Sequence, residues 1–357
     1  MKAVVYERYG SPDVLEVRDV PRPKPRDNEV LIEVRATSVS TGDVRVRAQD
    51  VPWGFGLFSR LAFGIFGPRQ QILGTDVAGV VAAIGENVSR FTVGDAVFGI
   101  SGTRMGCYAE YRALPEDGAL AKIPDGIGFE QAAALPFGGT TALDFLRRAA
   151  IRPGERVLVN GASGCVGSAT VQLAKQFGAH VTGVTSTANL NLVRSLGADE
   201  VIDYTHADFT GNAESYDIIV DSVGTASFSR CRGALRDGGR LLLLAAGLPE
   251  LLSIPWAALT TSQRVIAGPA AERAEDLRLL AELTAKGELA PVIDRVYALE
   301  QIAEAHSYVE SKRKRGSVIV RVRSDADARE RGALLHGDDL AERDLAMDYF
   351  RGGPFTS

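Results

Sequence analysis

Apolar residues in this chain fall into short, nearly uninterrupted runs separated by stretches of helical spacing, a rhythm that dominates after about residue 125. Val157-Leu158-Val159 suits a buried strand. Beyond it, Val166, Thr170, Leu173 and Phe177 recur four, three and four apart, which is one face of a helix. Gly178 ends that helix, and His180–Val184 predicts a second strand. Leu190–Leu196 is helical, Glu200-Val201-Ile202 a third strand and Tyr216–Asp221 a fourth. Gly238-Gly239 reads as a turn into a fifth, Arg240–Ala246, and Arg264–Ala267 gives a sixth. Strands that are apolar along their whole length, with helices between them, predict an α/β fold: a parallel sheet covered on both faces.

The earlier part has another texture. Glu29–Ala36 alternates as a half-buried strand does, and Asp76–Ile84 and Ala96–Ile100 follow as strands. Turns fall at Gly85-Glu86-Asn87 and Gly94-Asp95, and Pro21, Pro23 and Pro25 alternate with charges as in an exposed connector. An irregular antiparallel β domain is expected here, and the seam between two such domains is a common place for a ligand.

Composition narrows the function. A chain of 357 residues has room for two domains. A net charge of −5 argues against dedicated nucleic-acid or anionic-membrane binding. No apolar run approaches the roughly 20 residues of a membrane span. The chain opens directly on K-A-V-V-Y, and its cysteines, Cys107, Cys165 and Cys231, are odd in number and scattered. A reducing, cytoplasmic setting without disulfides is the expectation.

The strand at Val157 turns into its helix through N-G-A-S-G-C-V-G, residues Asn160–Gly167. Glycines let the backbone approach a pyrophosphate, and free N–H groups at the helix start hold its charge. Gly161, Ala162, Ser163, Gly164, Cys165, Val166 and Gly167 are therefore candidate cofactor contacts. The plain alternative is a turn that needs small residues only for packing.

Several motifs in a fixed order carry a family resemblance. They are Y-G-S-P-D-V-L near the start, I-L-G-T-D-V-A-G-V-V-A-A-I-G at Ile72–Gly85, F-T-V-G-D-A-V-F-G at Phe91–Gly99 and G-C-Y-A-E-Y at Gly106–Tyr111. A-A-L-P-F-G-G-T-T-A at Ala133–Ala142, the glycine loop, L-G-A-D-E-V-I-D-Y at Leu196–Tyr204 and R-G-S-V-I-V at Arg315–Val320 complete the series. Across about residues 1–323 the chain resembles the medium-chain dehydrogenase/reductase superfamily, in its zinc-free quinone oxidoreductase branch. The resemblance implies a Rossmann-type doubly wound parallel sheet, residues 125–290, inserted into a GroES-like irregular β-barrel catalytic domain. That catalytic domain is built from residues 1–124 and 291–323, and residues 324–357 form a tail beyond the family pattern.

Departures from the family are informative. Zinc members carry a cysteine where this chain has Ser40, a His-Glu pair where it has Thr75-Asp76, and a four-cysteine lobe where it has only Cys107. Zinc needs nitrogen or sulfur ligands in tetrahedral array, so no metal is expected. His180, His206, His306 and His336 show no ligand spacing and read as solvated or hydrogen-bonded. NAD enzymes place an acid after the second nucleotide-domain strand, where this chain reads Val184-Thr185-Ser186-Thr187-Ala188-Asn189. A carboxylate would repel a 2′-phosphate, so its absence favours NADPH. The Lys or Arg that relatives often have at Ala188 is missing, and they use a tyrosine matching Tyr204. Ser186, Tyr204 and Asn189 are the expected phosphate contacts, with a surface role the alternative for Tyr204; Val223 is a further candidate cofactor contact.

Without a metal, chemistry rests on positioning and on stabilising charge at the acceptor oxygen. The resemblance brings Ser40-Thr41-Gly42-Asp43 and Thr140-Thr141 near the nicotinamide. Ser40 or Thr41 would donate to that oxygen, and Asp43 would orient backbone or ribose; the alternative is plain turn chemistry. Val51–Pro68 is aromatic and glycine-rich. Its Trp53, Phe55, Phe58 and Phe63 form either an apolar wall or cover for a flat substrate, or a plug or subunit contact, with membrane-surface binding a third option. Cys165 is either a thiol sensitised by the helix terminus or a small apolar filler. In the tail, Asp338–Phe350 has helical spacing. These readings converge on an NADPH-dependent reductase of quinones or α,β-unsaturated carbonyls. Enoyl thioesters or aldehydes are alternative acceptors, a low-turnover NADPH-binding redox sensor is the contrasting class, and a homodimer is the family-level expectation.

Overall fold

The architecture is that of a computed structural model describing residues 1–323, apart from residues 52 and 212 and the side chains of residues 253 and 256. The expected Asp338–Phe350 helix and His336 lie outside the described residues.

Strands β1 (Lys2–Val5) and β2 (Glu16–Asp19) form a small antiparallel ribbon. β3 (Glu29–Val39), β4 (Asp76–Ile84), β5 (Ala96–Ile100), β6 (Tyr111–Pro115) and β7 (Leu120–Lys122) build the antiparallel sheet. Alternation in β3 puts Val30, Ile32 and Val34 into a core with Val77, Val97 and Leu114. Helices α1 (Thr41–Ala48) and α2 (Gly56–Phe63) lie between β3 and β4.

The second sheet is parallel throughout. β8 (Arg156–Asn160), β9 (His180–Thr185), β10 (Glu200–Asp203), β11 (Tyr216–Asp221), β12 (Leu235–Leu243) and β13 (Arg264–Ala267) run in the order β10-β9-β8-β11-β12-β13. The chain crosses from β8 to one side and later returns to the other, so the switch point lies beside β8, where such sheets bind ligands. Helix α3 (Phe129–Ala133) packs on β3, β4 and β5 of the first sheet, whereas α4 (Thr141–Arg148), α5 (Cys165–Gln176), α6 (Leu190–Ser195), α7 (Phe228–Cys231), α8 (Leu248–Thr260) and α9 (Ala274–Ala285) belong to the parallel part. The apolar runs predicted as strands are buried, as at Val157, Leu158, Val159, Ile218, Ile219 and Val220.

Finally the chain re-enters the first sheet. β14 (Ile293–Ala298), α10 (Ile302–Glu310) and β15 (Ser317–Arg321) follow, and β15 pairs antiparallel with β3 at Ile319↔Ser38. The expected fold class, a Rossmann-type sheet inserted into a GroES-like β domain, is therefore correct.

Three expectations need correction. Gly238-Gly239 is not a turn before the fifth strand; it lies within β12, where the register with β11 skips between Tyr216 and Ile218. His306 is neither solvated nor hydrogen-bonded: it is fully buried, and neither ring nitrogen has a partner. The Val51–Pro68 segment is a plug only in part: Phe63 packs against the core, whereas Trp53, Leu57, Phe58 and Phe66 are exposed, Trp53 to 76%.

Candidate functional site

The glycine loop closes against the end of β11. Gly161 has φ +81°, and a Cβ there would come within 2.3 Å of Val223 Cγ2. A Cβ on Gly167 would meet the Gly161 carbonyl at 2.1 Å, so α5 starts hard against the loop. Ala162 is buried in the core, and Val166 packs against it from α5. Gly164 is the N-cap of α5 and has no side chain to fill the helix start, which leaves room for an anion there.

Around this loop lies a cavity of about 500 Å³. Asn160, Gly161, Ser163, Gly164, Thr185, Ser186, Ala188, Asn189 and Tyr204 form one side. Thr185 Oγ1 donates to Ser163 Oγ at 2.9 Å, and Asn189 Nδ2 donates to Ser163 Oγ at 3.3 Å and Ser186 Oγ at 3.2 Å. This network fixes the polar rim expected at the end of β9. Tyr204 is exposed at the opening.

The opposite side was missed by sequence reasoning. Tyr308 and the run Lys312-Arg313-Lys314-Arg315 line it. Gly316 N donates to Ser163 O at 2.8 Å, so this basic segment is bonded directly to the glycine loop. The signal was the charge run just before R-G-S-V-I-V, which by itself reads as a solvated face. No carboxylate lines the cavity among the described residues. The nearest acid in the strand register, Asp203, pairs with Thr185 at the end of β10. Its oxygens accept from the Thr187 and Thr205 hydroxyls, and these bonds hold its pKa down to about 2.

A second cavity, about 430 Å³, lies beyond the ends of β11 and β12. Arg45, Asp50, Val51 and Trp53 wall it on one side, and Asp221, Val223, Gly224 and Gly247 on the other. Lys312 borders both cavities. Asp221 holds the floor, accepting from the N–H groups of Val223, Gly224 and Ala226 and from Asn160 Nδ2. Phe55 does not line this cavity; its ring lies 6.4 Å from that of Phe58.

The expected hydroxyl donors behave differently from one another. Ser40 is buried and caps α1: its hydroxyl donates to Asp43 Oδ2 at 2.6 Å and accepts from Asp43 N at 3.1 Å. Thr140 and Thr141 donate to the carbonyls of Pro136 and Phe137, both at 2.7 Å. Thr41, at the first position of α1, is exposed. The Cys165 thiol faces Ser317 Oγ at 3.2 Å and borders a cavity of only about 20 Å³, apart from the larger one.

At the place of the relatives' zinc ligands, burial governs. Asp43 and Asp76 are both buried, and burial raises both carboxyl pKa values against the lowering effect of the Ser40 and Ser38 hydroxyls. Thr75 Oγ1 is buried without a hydrogen-bond partner. Among the described residues no group of three or more His, Cys, Asp or Glu is placed to hold a metal ion.

A GroES-like domain joined to a parallel nucleotide-binding sheet, with a glycine loop at its switch point, defines a class. The chain belongs to the medium-chain dehydrogenase/reductase superfamily, in its quinone oxidoreductase-like branch, and is thus an oxidoreductase of a family that uses a nicotinamide cofactor. Residues 26–125 match the alcohol dehydrogenase GroES-like domain, and residues 196–320 match the family described as zinc-binding dehydrogenase. The chain is 34% identical to the quinone oxidoreductase of Homo sapiens over 322 residues, 87% of this chain and 94% of that one. It is 32% identical to the chloroplastic NADPH-dependent alkenal/one oxidoreductase of Arabidopsis thaliana over 332 residues, 90% and 79% of the two chains. The structure of the quinone oxidoreductase from Coxiella burnetii superimposes with a TM-score of 0.81 at 30% identity, over 90% of this chain and 99% of the other. Among the described residues no helix is long and apolar enough to cross a membrane.

Proposed function

We propose that this protein is an NADPH-dependent reductase that delivers hydride, without a metal, to a quinone or an α,β-unsaturated carbonyl. One observation carries the reading: the cavity around the glycine loop combines Ser186, Asn189 and Tyr204 with four consecutive cations and no lining carboxylate. Cations and hydroxyls suit a dianionic 2′-phosphate, whereas an NAD site offers an acid to the ribose hydroxyl. The quinone and alkenal/one activities named for the relatives support the acceptor class.

The nicotinamide, when bound, supplies the hydride. The chain's own part is to hold and to polarise. The N–H groups at the start of α5 and the segment Lys312–Arg315 take the phosphates. Val51, Trp53 and Val223 offer an apolar wall to a flat acceptor in the second cavity. We assign the donor role toward a developing oxyanion to Thr41, exposed at the positive end of α1, because Ser40 is engaged with Asp43 in holding that helix end. The hydroxyls of Ser40 and Thr75 offer zinc neither a thiolate nor an imidazole, which supports a metal-free site.

The test is NADPH oxidation followed against a panel of quinones, enones, enoyl thioesters and aldehydes, with NADPH and NADH titrated in parallel. NADPH binds more tightly, and Ser186→Asp reverses the order. Equal or tighter NADH binding by the unaltered protein overturns the cofactor assignment. A panel in which nothing oxidises bound NADPH leaves a cofactor-binding sensor as the better reading.

A further inference from the structure

Helix α10 ends at Glu310, and two residues later begins the basic segment that walls the larger cavity. Lys312 turns the chain with φ +57°, and its N–H donates to Val309 O at 3.1 Å. The lever between the helix end and Lys312 is therefore short and rigid. At its far end the segment is fixed as well: Arg315 N donates to Asp294 Oδ2 at 2.7 Å, and Gly316 N to Ser163 O at 2.8 Å.

What fixes the near end is Arg47. It sits on α1, its side chain has no solvent exposure, and its Nη2 reaches Glu310 Oε1 across the α1–α10 contact. Nε and Nη1 have no hydrogen-bond partner, so Glu310 is the anion that answers this buried cation among the described residues. The backbone is held too, since Gly10 N donates to Arg47 O at 3.1 Å. His306, one turn before Glu310 and buried beside this cation, is kept neutral by its burial and by Arg47. It adds no competing charge. Two positions before Arg47, Arg45 lines the second cavity, which Lys312 also borders.

The geometry points to Arg47 as a positioning residue: its ion pair with Glu310, buried on the arginine side and open to solvent on the carboxylate side, sets Lys312–Arg315 against the glycine loop and so determines the preference for a 2′-phosphorylated nicotinamide nucleotide. This rests on the NADPH reading above. A buried cation that loses its only anion is strained, whereas a pair replaced on both sides by uncharged groups leaves no orphan charge. The two cases separate positioning from mere stability.

The experiment compares NADPH and NADH dissociation constants for Glu310→Gln, for the double variant Arg47→Met/Glu310→Gln, and for Arg47→Lys, with thermal unfolding of each. In the folded double variant NADPH binding weakens by about tenfold or more, while NADH changes by less than about threefold. Arg47→Lys, which keeps the charge, retains most of the preference. Lys312→Ala and Arg315→Ala serve as direct controls on the phosphate wall. If these controls lower NADPH affinity and the folded double variant does not, the positioning role is wrong and the cofactor reading stands. Parallel loss of both nucleotides in the folded double variant also overturns the role. If the unaltered protein shows no NADPH preference, both readings fall together.

Discussion

Gly161 is where loop shape and stability meet most tightly, and Gly161→Ala tests the account of the site. The backbone there has φ +81°, which for a residue with a Cβ costs about 1–2 kcal/mol. The new methyl would stand 2.3 Å from Val223 Cγ2 and 2.7 Å from Ser222 Oγ. Ser222 cannot give way freely, because its hydroxyl donates to Asn160 O at 2.8 Å. Overpacking of this kind costs about 1–3 kcal/mol. The sum, roughly 2–5 kcal/mol, is a large part of a typical domain's stability. Val223 is half exposed, so Val223→Ala alone should cost less than about 1 kcal/mol. Combined with Gly161→Ala it removes the worst contact and leaves the dihedral cost, so the pair should couple favourably by about 1–2 kcal/mol. Urea unfolding of the four proteins gives the cycle, and NADPH titration of the same set should show the single Gly161→Ala variant binding at least about tenfold more weakly. A Gly161→Ala protein within about 0.5 kcal/mol of the parent, or a cycle with no coupling, would refute the claim that the loop closes on Val223.

Three further outcomes follow from the site. Burial first, and Arg47 second, hold the His306 pKa down to about 3, so the unfolded state binds the extra proton between that value and about pH 6.5; stability from this group is full above pH 6.5 and falls as pH drops, by roughly 3 kcal/mol at pH 4.5. His306→Leu should lack that slope, so the stability difference between parent and variant should shift by roughly 3 kcal/mol between pH 7 and 4.5; a difference that stays constant over this range would count against a buried neutral imidazole. Thr41→Val should slow turnover by about 10²–10³ with NADPH affinity nearly unchanged, whereas Ser40→Ala should mainly lower stability by about 1 kcal/mol through the lost helix cap; equal turnover in Thr41→Val and parent removes Thr41 as the donor. Cys165, whose sulfur faces Ser317 in a cavity of about 20 Å³, should be alkylated slowly and at the same rate with or without NADPH, and strong protection by NADPH would place the thiol in the cofactor cavity instead.

The parallel sheet was legible because its strands are buried on both faces, so Val157–Val159 and Ile218–Val220 had to be apolar without a break. β12 was misread because two adjacent glycines normally mark a turn; here Gly238, with φ +70°, lies where the strand shifts register without ending. His306 could have been found, since Ile302, Ala305, His306 and Val309 follow the spacing of one helical face and all four are buried. The basic wall could not. Lys312–Arg315 stand some 125 residues from Ser186, and only the return of β15 into the first sheet brings them to the same cavity. Ser40 and Thr41 show the finer limit. Adjacent hydroxyls look equivalent in V-S-T-G-D, yet one becomes a cap and is consumed by Asp43, while its neighbour faces outward.

The pairing of β15 with β3 has a consequence during synthesis. Ile319 sits opposite Ser38, a separation of 281 residues (319 − 38), with the whole nucleotide-binding sheet encoded between them. At about 5–20 residues per second, β3 waits roughly 15–55 s on the ribosome before that partner exists. In that interval the edge β3 later gives to β15 carries unpaired N–H and C=O groups, the kind of edge that recruits other strands. The inserted sheet pairs only within itself and can close as soon as β13 has emerged. Expression should therefore be more sensitive to changes on the β3 edge, at Ala36–Val39, than to equally buried changes in β8 or β11, even where the finished proteins are equally stable.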